Sequence, residues 1–171
     1  MKIIFIDIDG PLSWGSWGDG EVKIMGGTSQ EFKIPYSWDK ADCEALGEII
    51  KQTNARLVVS SDWRKHYTLN QLAMIFEHYG IGRWNLLDTT THFNPKKKMS
   101  SSGDWDRACE IEVWVKSFKP TNWISIDDMQ LNYGYKSLGI PQWHHVQVSG
   151  DWGFGGKLRD KVDECIQKLE R

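Results

Sequence analysis

Two pairs of carboxylates stand out in this sequence. Asp7 and Asp9 lie two apart in "IIFIDIDGPL" (3–12), after an apolar run and directly before Gly10. Asp127 and Asp128 close another apolar run, "NWISIDD". A third run, "ARLVVSS", ends in Ser60 and Ser61. Carboxylates held close together repel, and something must offset that repulsion. A hard divalent cation does so, and Mg²⁺ suits oxygen ligands that share the ion with waters and a substrate phosphate. Taken alone, either Asp pair also reads as turn chemistry, since Asp and Gly favour strand-ending turns. Two such pairs at two strand ends are harder to explain that way. The serine pair has the same bland reading and gains a chemical one only beside the carboxylates.

The elements that must position these residues follow from the apolar pattern. Lys2 to Ile8 reads as a strand, on which Asp7 and Asp9 would point to the same side. About 27 residues rich in Gly, Trp and Ser follow, Pro11 to Ser37, where "EVKIM" and "EFKIP" suggest a hairpin. Ser37 or Asp39 caps a helix to about Thr53, with Ala45, Leu46, Ile49 and Ile50 on one face. "ARLVVSS" is a buried strand. "TLNQ" (68–71) matches a capping box and opens a helix that stops at Gly80. "WNLLD" is a short strand, and a polar loop from about Thr89 to Gly103 holds "NPKKKMSSSG". Asp104 is expected to cap a helix carrying Ile111, Trp114, Val115 and Phe118, with Pro120 just past its end. Then come the strand "NWISIDD", a short helix to Leu138, the strand "HHVQV", and an amphipathic helix marked by Leu158, Val162, Cys165, Ile166 and Leu169. Apolar strands alternating with helices imply a parallel sheet covered on both faces. Ligands of such sheets bind beyond the carboxyl ends of the strands, where all three chemistry-bearing runs end.

Bulk composition narrows the classes. A chain of 171 residues is read as a single domain, 1–171, with a small insertion at about 11–37. Its 40% hydrophobic and 26% charged content is ordinary for a soluble protein. A formal net charge of −2 supplies no global positive field for nucleic acid or an acidic membrane. Cys43, Cys109 and Cys165 have no CxxC spacing and read as reduced thiols of a cytoplasmic protein. No run reaches membrane-spanning length, so no membrane partner is expected. His144 and His145 adjoin on a strand, point to opposite faces and read as structural.

The three runs together resemble a known family. "FIDIDGPL" is similar to the first motif of the haloacid dehalogenase (HAD) superfamily, "LVVSS" to the second and "WISIDD" to the fourth, in the right order and at fitting spacings. "VVSSDWR", "DRACEIEVWV" and "SIDD" most resemble the compact HAD domains of RNA-repair proteins, and more distantly polynucleotide 3′-phosphatases. The resemblance implies a three-layer α/β, Rossmann-like sandwich with a mostly parallel central sheet and a minimal cap. It also implies a phosphatase that uses Mg²⁺.

In that family's terms Asp7 is the nucleophile that forms an aspartyl phosphate. Asp9 is the acid for the leaving oxygen and then the base for water. Superfamily dehalogenases lack a carboxylate at the second place and ion pumps carry Thr there, so Asp9 favours phosphatases and phosphomutases. Asp7, Asp9, Asp127 and Asp128 form the expected metal set, with Asp128 either orienting a metal water or binding directly. Ser60 is preferred to Ser61 as the hydroxyl for the phosphate, though a shift of one residue reverses the choice. Arg64 is a candidate for a second positive contact. The third motif departs from the common pattern: where a Lys is usual, the first helical turn offers Arg107, and Lys96, Lys97 and Lys98 lie upstream in the loop. Arg107 is the preferred clamp, with a loop lysine as the alternative.

Neither the insertion at about 11–37 nor the lysine-bearing loop at about 89–103 can form a full cap domain, so the site is expected to be open. An open site suits a large substrate such as a nucleic-acid end or a phosphoprotein, or a small one held by loops. Trp14, Trp17, Trp38, Trp63 and Trp152, five of ten tryptophans, fall in segments expected to ring the site. They would either stack on bases or simply pack the loops. The expected substrate is a nucleotide or a terminal phosphate of a nucleic acid. The rivals are a small-metabolite or phosphoprotein phosphatase, and a phosphate-binding module without turnover.

Overall fold

A computed structural model describes residues 1–14, 20–24, 31–91, 103–149 and 157–171. Lys96, Lys97, Lys98, Trp17, Trp152 and the "GDWGFGG" segment lie outside the described residues. Five strands form one parallel sheet: β1 (Lys2–Ile6), β4 (Arg56–Val59), β5 (Leu86–Thr89), β6 (Asn122–Asp127) and β7 (His145–Gln147). Their order is β5-β4-β1-β6-β7. The hairpin expected in the first insertion is present as β2 (Gly20–Ile24) paired antiparallel with β3 (Glu31–Pro35). The helices are α1 (Lys40–Thr53), α2 (Leu69–His78), α3 (Gly103–Phe118), α4 (Asn132–Leu138) and α5 (Val162–Leu169).

Side-chain alternation along the strands builds three layers. Ile4, Ile6 and Ile8 join Leu46, Ile49, Leu72, Phe76, Val162 and Cys165 in a core beneath α1, α2 and α5. Ile3 and Phe5 face the other way, onto Ala108, Ile111, Trp114 and Tyr135 of α3 and α4. Both faces of β1 are covered, which is why its sequence is a continuous apolar run. Asp7 continues the Ile3 and Phe5 parity, so its carboxylate belongs to the α3 face. Strand order reverses between β1 and β6, the switch point where open parallel sheets take ligands.

Local signals explain the element ends. Asp39, rather than Ser37, caps α1 by accepting from Asp42 N–H at 3.0 Å, while the Ser37 hydroxyl meets that of Ser13 at 2.9 Å. Thr68 and Gln71 form the capping box of α2. Asp104 lies inside the first turn of α3 rather than ahead of it, where its charge suits the helix dipole. The main difference from the sequence expectation is at β1, whose ladder ends at Ile6 rather than Ile8. Leu12 and Ser13 N–H groups both turn back to the Ile8 carbonyl, at 3.0 and 2.9 Å, so Asp9 sits in a turn. That turn depends on Gly10, which holds φ at +91°. A Cβ there would also come within 2.7 Å of Asp128 Cγ.

Gly10 and Gly80 therefore separate strain from collision. Both hold positive φ, but a Cβ at Gly80 would meet nothing within 4 Å. Gly80→Ala should lose only the strain, about 1–2 kcal/mol. Gly10→Ala should lose more in urea unfolding, because it also displaces Asp128. Equal losses would show that the close approach of Gly10 to Asp128 has no energetic weight.

Candidate active site

Register across the sheet rim assembles the site. Asp7 N–H donates to the Ile126 carbonyl at 3.0 Å, and Ser60 N–H donates to the Ile6 carbonyl at 2.9 Å. Thr90 N–H donates to the Val59 carbonyl at 2.9 Å. These bonds place Thr90, Ser60, Asp7 and Asp127 side by side, each one residue beyond or at the end of its strand. Sequence parity puts all four on the α3 face. Asp7 and Asp127 are buried, as are Ser60 and Thr90, whose hydroxyls have no hydrogen-bond partner among the described residues. Buried hydroxyls without partners are costly and are what a bound anion would satisfy.

Asp7, Asp127 and Asp128 each bring one carboxylate oxygen within 4.8 Å of the others. That oxygen-only donor set fits a hard divalent cation. Of the four carboxylates expected to hold metal, the structure groups these three. Asp9 is engaged elsewhere, its Oδ1 accepting from Trp63 Nε1–H at 2.9 Å. Burial, followed by the charge of Asp7, raises the pKa of Asp127 well above the usual carboxylate value and that of Asp128 in the same direction. Burial also pushes Asp9 up to about 6, helped by the charges of Asp7 and Asp128 and opposed by the Trp63 bond.

The described cation inside this cluster is Arg107. Its Nη1 donates to Asp127 Oδ2 at 2.8 Å and stands 3.1 Å from Asp7 Oδ2. The Arg107 side chain is 10% exposed. The Asp127 and Asp7 charges offset its burial and hold it firmly protonated. One nitrogen thus bridges two carboxylates. Arg107 reaches there from the second turn of α3, beside a cleft of about 250 Å³ that Arg64, Lys65, Glu110 and Met129 also line. A larger hollow of about 770 Å³, lined by Phe32, Lys33, His66 and Tyr67, opens at the hairpin and holds none of the clustered carboxylates.

Arg64 has a different setting from that expected of a phosphate contact. Its Nη2 donates to Glu110 Oε2 at 2.6 Å and its Nη1 to the Ser61 carbonyl at 2.6 Å, with both side chains buried. A buried pair of this kind fixes geometry: it ties the loop after β4 to α3 one turn beyond Arg107. Only Arg64 Nε lacks a partner. Among the described residues the Ser61 hydroxyl is buried and unpartnered like that of Ser60, but Ser60 has the parity of Asp7. Among the tryptophans, Trp38 and Trp63 are core residues, and Trp14 is exposed. His144 stacks between Trp123 and Trp143, while His145 Nδ1 meets Ser125 Oγ at 3.1 Å, so both are structural. All three cysteines are free and buried. No helix among the described residues is long and apolar enough to cross a membrane.

Thr90 and Glu110 belong to this site and are not among the residues the sequence pointed to, whereas Trp63, one of the tryptophans expected to ring the site, reaches it through its bond to Asp9. Thr90 carries the signal that found Ser60, a hydroxyl just past an apolar strand. Glu110 lies three residues after Arg107, on the same helix face.

The raised pKa of Asp9 makes the stability of the fold depend on pH. A carboxyl whose folded pKa lies above its unfolded one stabilises the fold in acid, and that contribution fades as pH rises through about 6. With a chelator present, melting temperature should fall more between pH 5 and pH 7.5 for the parent than for Asp9→Asn, whose amide oxygen still accepts from Trp63. Parallel pH curves would contradict the burial argument.

Comparison with curated proteins and with solved structures gave no match. A family model does match, described as the HAD domain in Swiss Army Knife RNA repair proteins, over residues 3–156. That span takes in all three motif-bearing strands and the helix that carries Arg107. The chain therefore belongs to the haloacid dehalogenase superfamily, in the family of HAD domains found in Swiss Army Knife RNA repair proteins.

Proposed function

We propose that the chain is a Mg²⁺-dependent phosphomonoesterase that works through an aspartyl phosphate on Asp7 and acts on a nucleotide or the terminal phosphate of a nucleic acid. The observation that carries this reading is the row at the sheet rim. The Asp7 carboxylate lies between the Ser60 hydroxyl, unpartnered among the described residues, and the Asp127 carboxylate, with Arg107 bridging. Family membership supports phosphatase chemistry. The name of the family, the short hairpin insertion and the exposed Trp14 support the nucleic-acid end as substrate.

The chain's own residues divide the reaction between them. Asp7 Oδ2 attacks phosphorus, and the Ser60 hydroxyl donates to a phosphoryl oxygen. Arg107 holds the other phosphoryl oxygens as charge builds on them. Asp9 protonates the leaving oxygen and then takes a proton from the attacking water. Asp7, Asp127 and Asp128 would hold Mg²⁺, which when bound lowers the repulsion between the nucleophile and the phosphoryl dianion.

Phosphate release from nitrophenyl phosphate and from 3′- and 5′-phosphorylated oligonucleotides tests the reading. Activity should vanish with a chelator, return with Mg²⁺ and be blocked by Ca²⁺, which prefers a larger and looser oxygen shell. Activity independent of divalent metal would contradict it, as would slower release from both oligonucleotides than from small-metabolite esters. Arg107→Ala should lower kcat/KM by about 10²–10³, with Arg107→Lys recovering part. A tolerant Arg107 and an inactive Lys96/Lys97/Lys98→Ala variant would move the phosphate clamp to the loop.

A further inference from the structure

An acid that serves one leaving oxygen must present one of its own oxygens in a fixed direction. Asp9 lies in a turn beyond β1, partly exposed, and a carboxylate there turns easily about its last torsion. Trp63 removes that freedom by donating from Nε1 to Asp9 Oδ1 at 2.9 Å. The indole belongs to the 3-10 turn Asp62–Lys65, directly after Ser60 and Ser61, and is 1% exposed. Tyr67 stacks on it with centroids 5.4 Å apart, and Trp38 meets it edge-on at 5.7 Å. Trp38 is itself packed against Phe76 and Tyr79 at the end of α2. The indole therefore cannot swing away without opening the core beneath α2. An indole N–H only donates, so Oδ1 must remain an acceptor. Oδ2 has no hydrogen bond among the described residues and is the oxygen left to meet the substrate.

We propose that Trp63 is a positioning residue for the acid–base step: its indole N–H holds Asp9 so that Oδ2 carries and delivers the proton. The inference rests on the phosphatase reading above. In the first half-reaction the Asp7 oxygen bonds to phosphorus as the ester P–O bond breaks, and the Oδ2 proton passes to the leaving oxygen. In the second, water bonds to phosphorus and returns a proton to Oδ2, and the phosphorus bond to Asp7 breaks with release of inorganic phosphate. Trp63 touches no reacting atom and acts only through Asp9.

Trp63→Phe keeps an aromatic ring in the core and deletes the donor. A leaving group such as nitrophenolate needs little protonation, whereas an alkyl alcohol needs it fully. With Mg²⁺, Trp63→Phe should keep kcat/KM on nitrophenyl phosphate within about threefold of the parent but lose about tenfold or more in kcat/KM on glycerol phosphate, because kcat/KM reports only the half-reaction in which the leaving oxygen departs. On an Asp9→Asn background the same change should produce no further split between the two esters. Equal losses on both esters would overturn the proposal, since that is what a purely structural role gives. A second readout leaves Trp63 in place and needs no turnover: Asp9→Ala should shift the indole N–H resonance of Trp63 in a ¹⁵N–¹H spectrum. An unmoved resonance would overturn the positioning role even if Trp63→Phe fails to fold. A moved resonance in a chain that hydrolyses no ester would instead sink the phosphatase reading and leave the hydrogen bond standing.

Discussion

Mutual repulsion of three carboxylates is the constraint around which this protein is arranged. Asp7, Asp127 and Asp128 hold oxygens within 4.8 Å of one another. At that separation each charged pair repels by about 3–4 kcal/mol for an effective dielectric constant of ~20. Nothing local to a tripeptide would tolerate this. The parallel sheet does, because the ladder between β1 and β6 fixes the two backbones whatever their side chains prefer. Gly10 then lets the turn after Asp7 pass close against Asp128. Arg107 supplies the counter-charge, and the Arg64–Glu110 pair braces the helix that carries it. A site under such strain is receptive to cations, and a dianionic substrate can approach it only once positive charge has been gathered there.

The same geometry divides the acids into two kinds. Three point at a shared volume, while Asp9 is drawn aside by Trp63. Burial and like charges raise Asp9 to about 6, within reach of proton exchange near neutral pH. Two carboxylates only two residues apart thus acquire different roles from their surroundings: one is bridged by a guanidinium and the other is held by a neutral donor. That division is what a nucleophile and an acid–base partner require of one short segment.

Much of this was legible in the sequence, for physical reasons that differ by element. Continuous apolar runs such as "IIFI" and "LVV" are the mark of strands covered on both faces, and they identified β1, β4 and β6. "TLNQ" encodes its own capping box, so the start of α2 could be placed to the residue. Asp7, Asp127 and Asp128 were found because charge seldom ends a buried strand without a reason. What could not be read were relations set by tertiary packing. The strand expectation for Lys2–Ile8 gave Asp7 and Asp9 one direction, whereas the chain turns after the ladder ends at Ile6 and separates them. Arg64 looked like a free cation because its partner, Glu110, is 46 residues away. Trp38 and Trp63 looked like loop aromatics, yet both are buried, since a short 3-10 turn folds Trp63 back beneath the hairpin's exit.

The central claim is that the Asp7 carboxylate attacks phosphorus. Rapid acid quenching of the Mg²⁺-loaded protein during turnover of a ³²P-labelled phosphate ester, followed by peptide mapping, tests it directly. The account predicts an acid-stable, hydroxylamine-sensitive label on the peptide containing Asp7, absent from Asp7→Asn and retained by Asp9→Asn. Label that persists in Asp7→Asn, or turnover by that variant at the parent's rate, would contradict it.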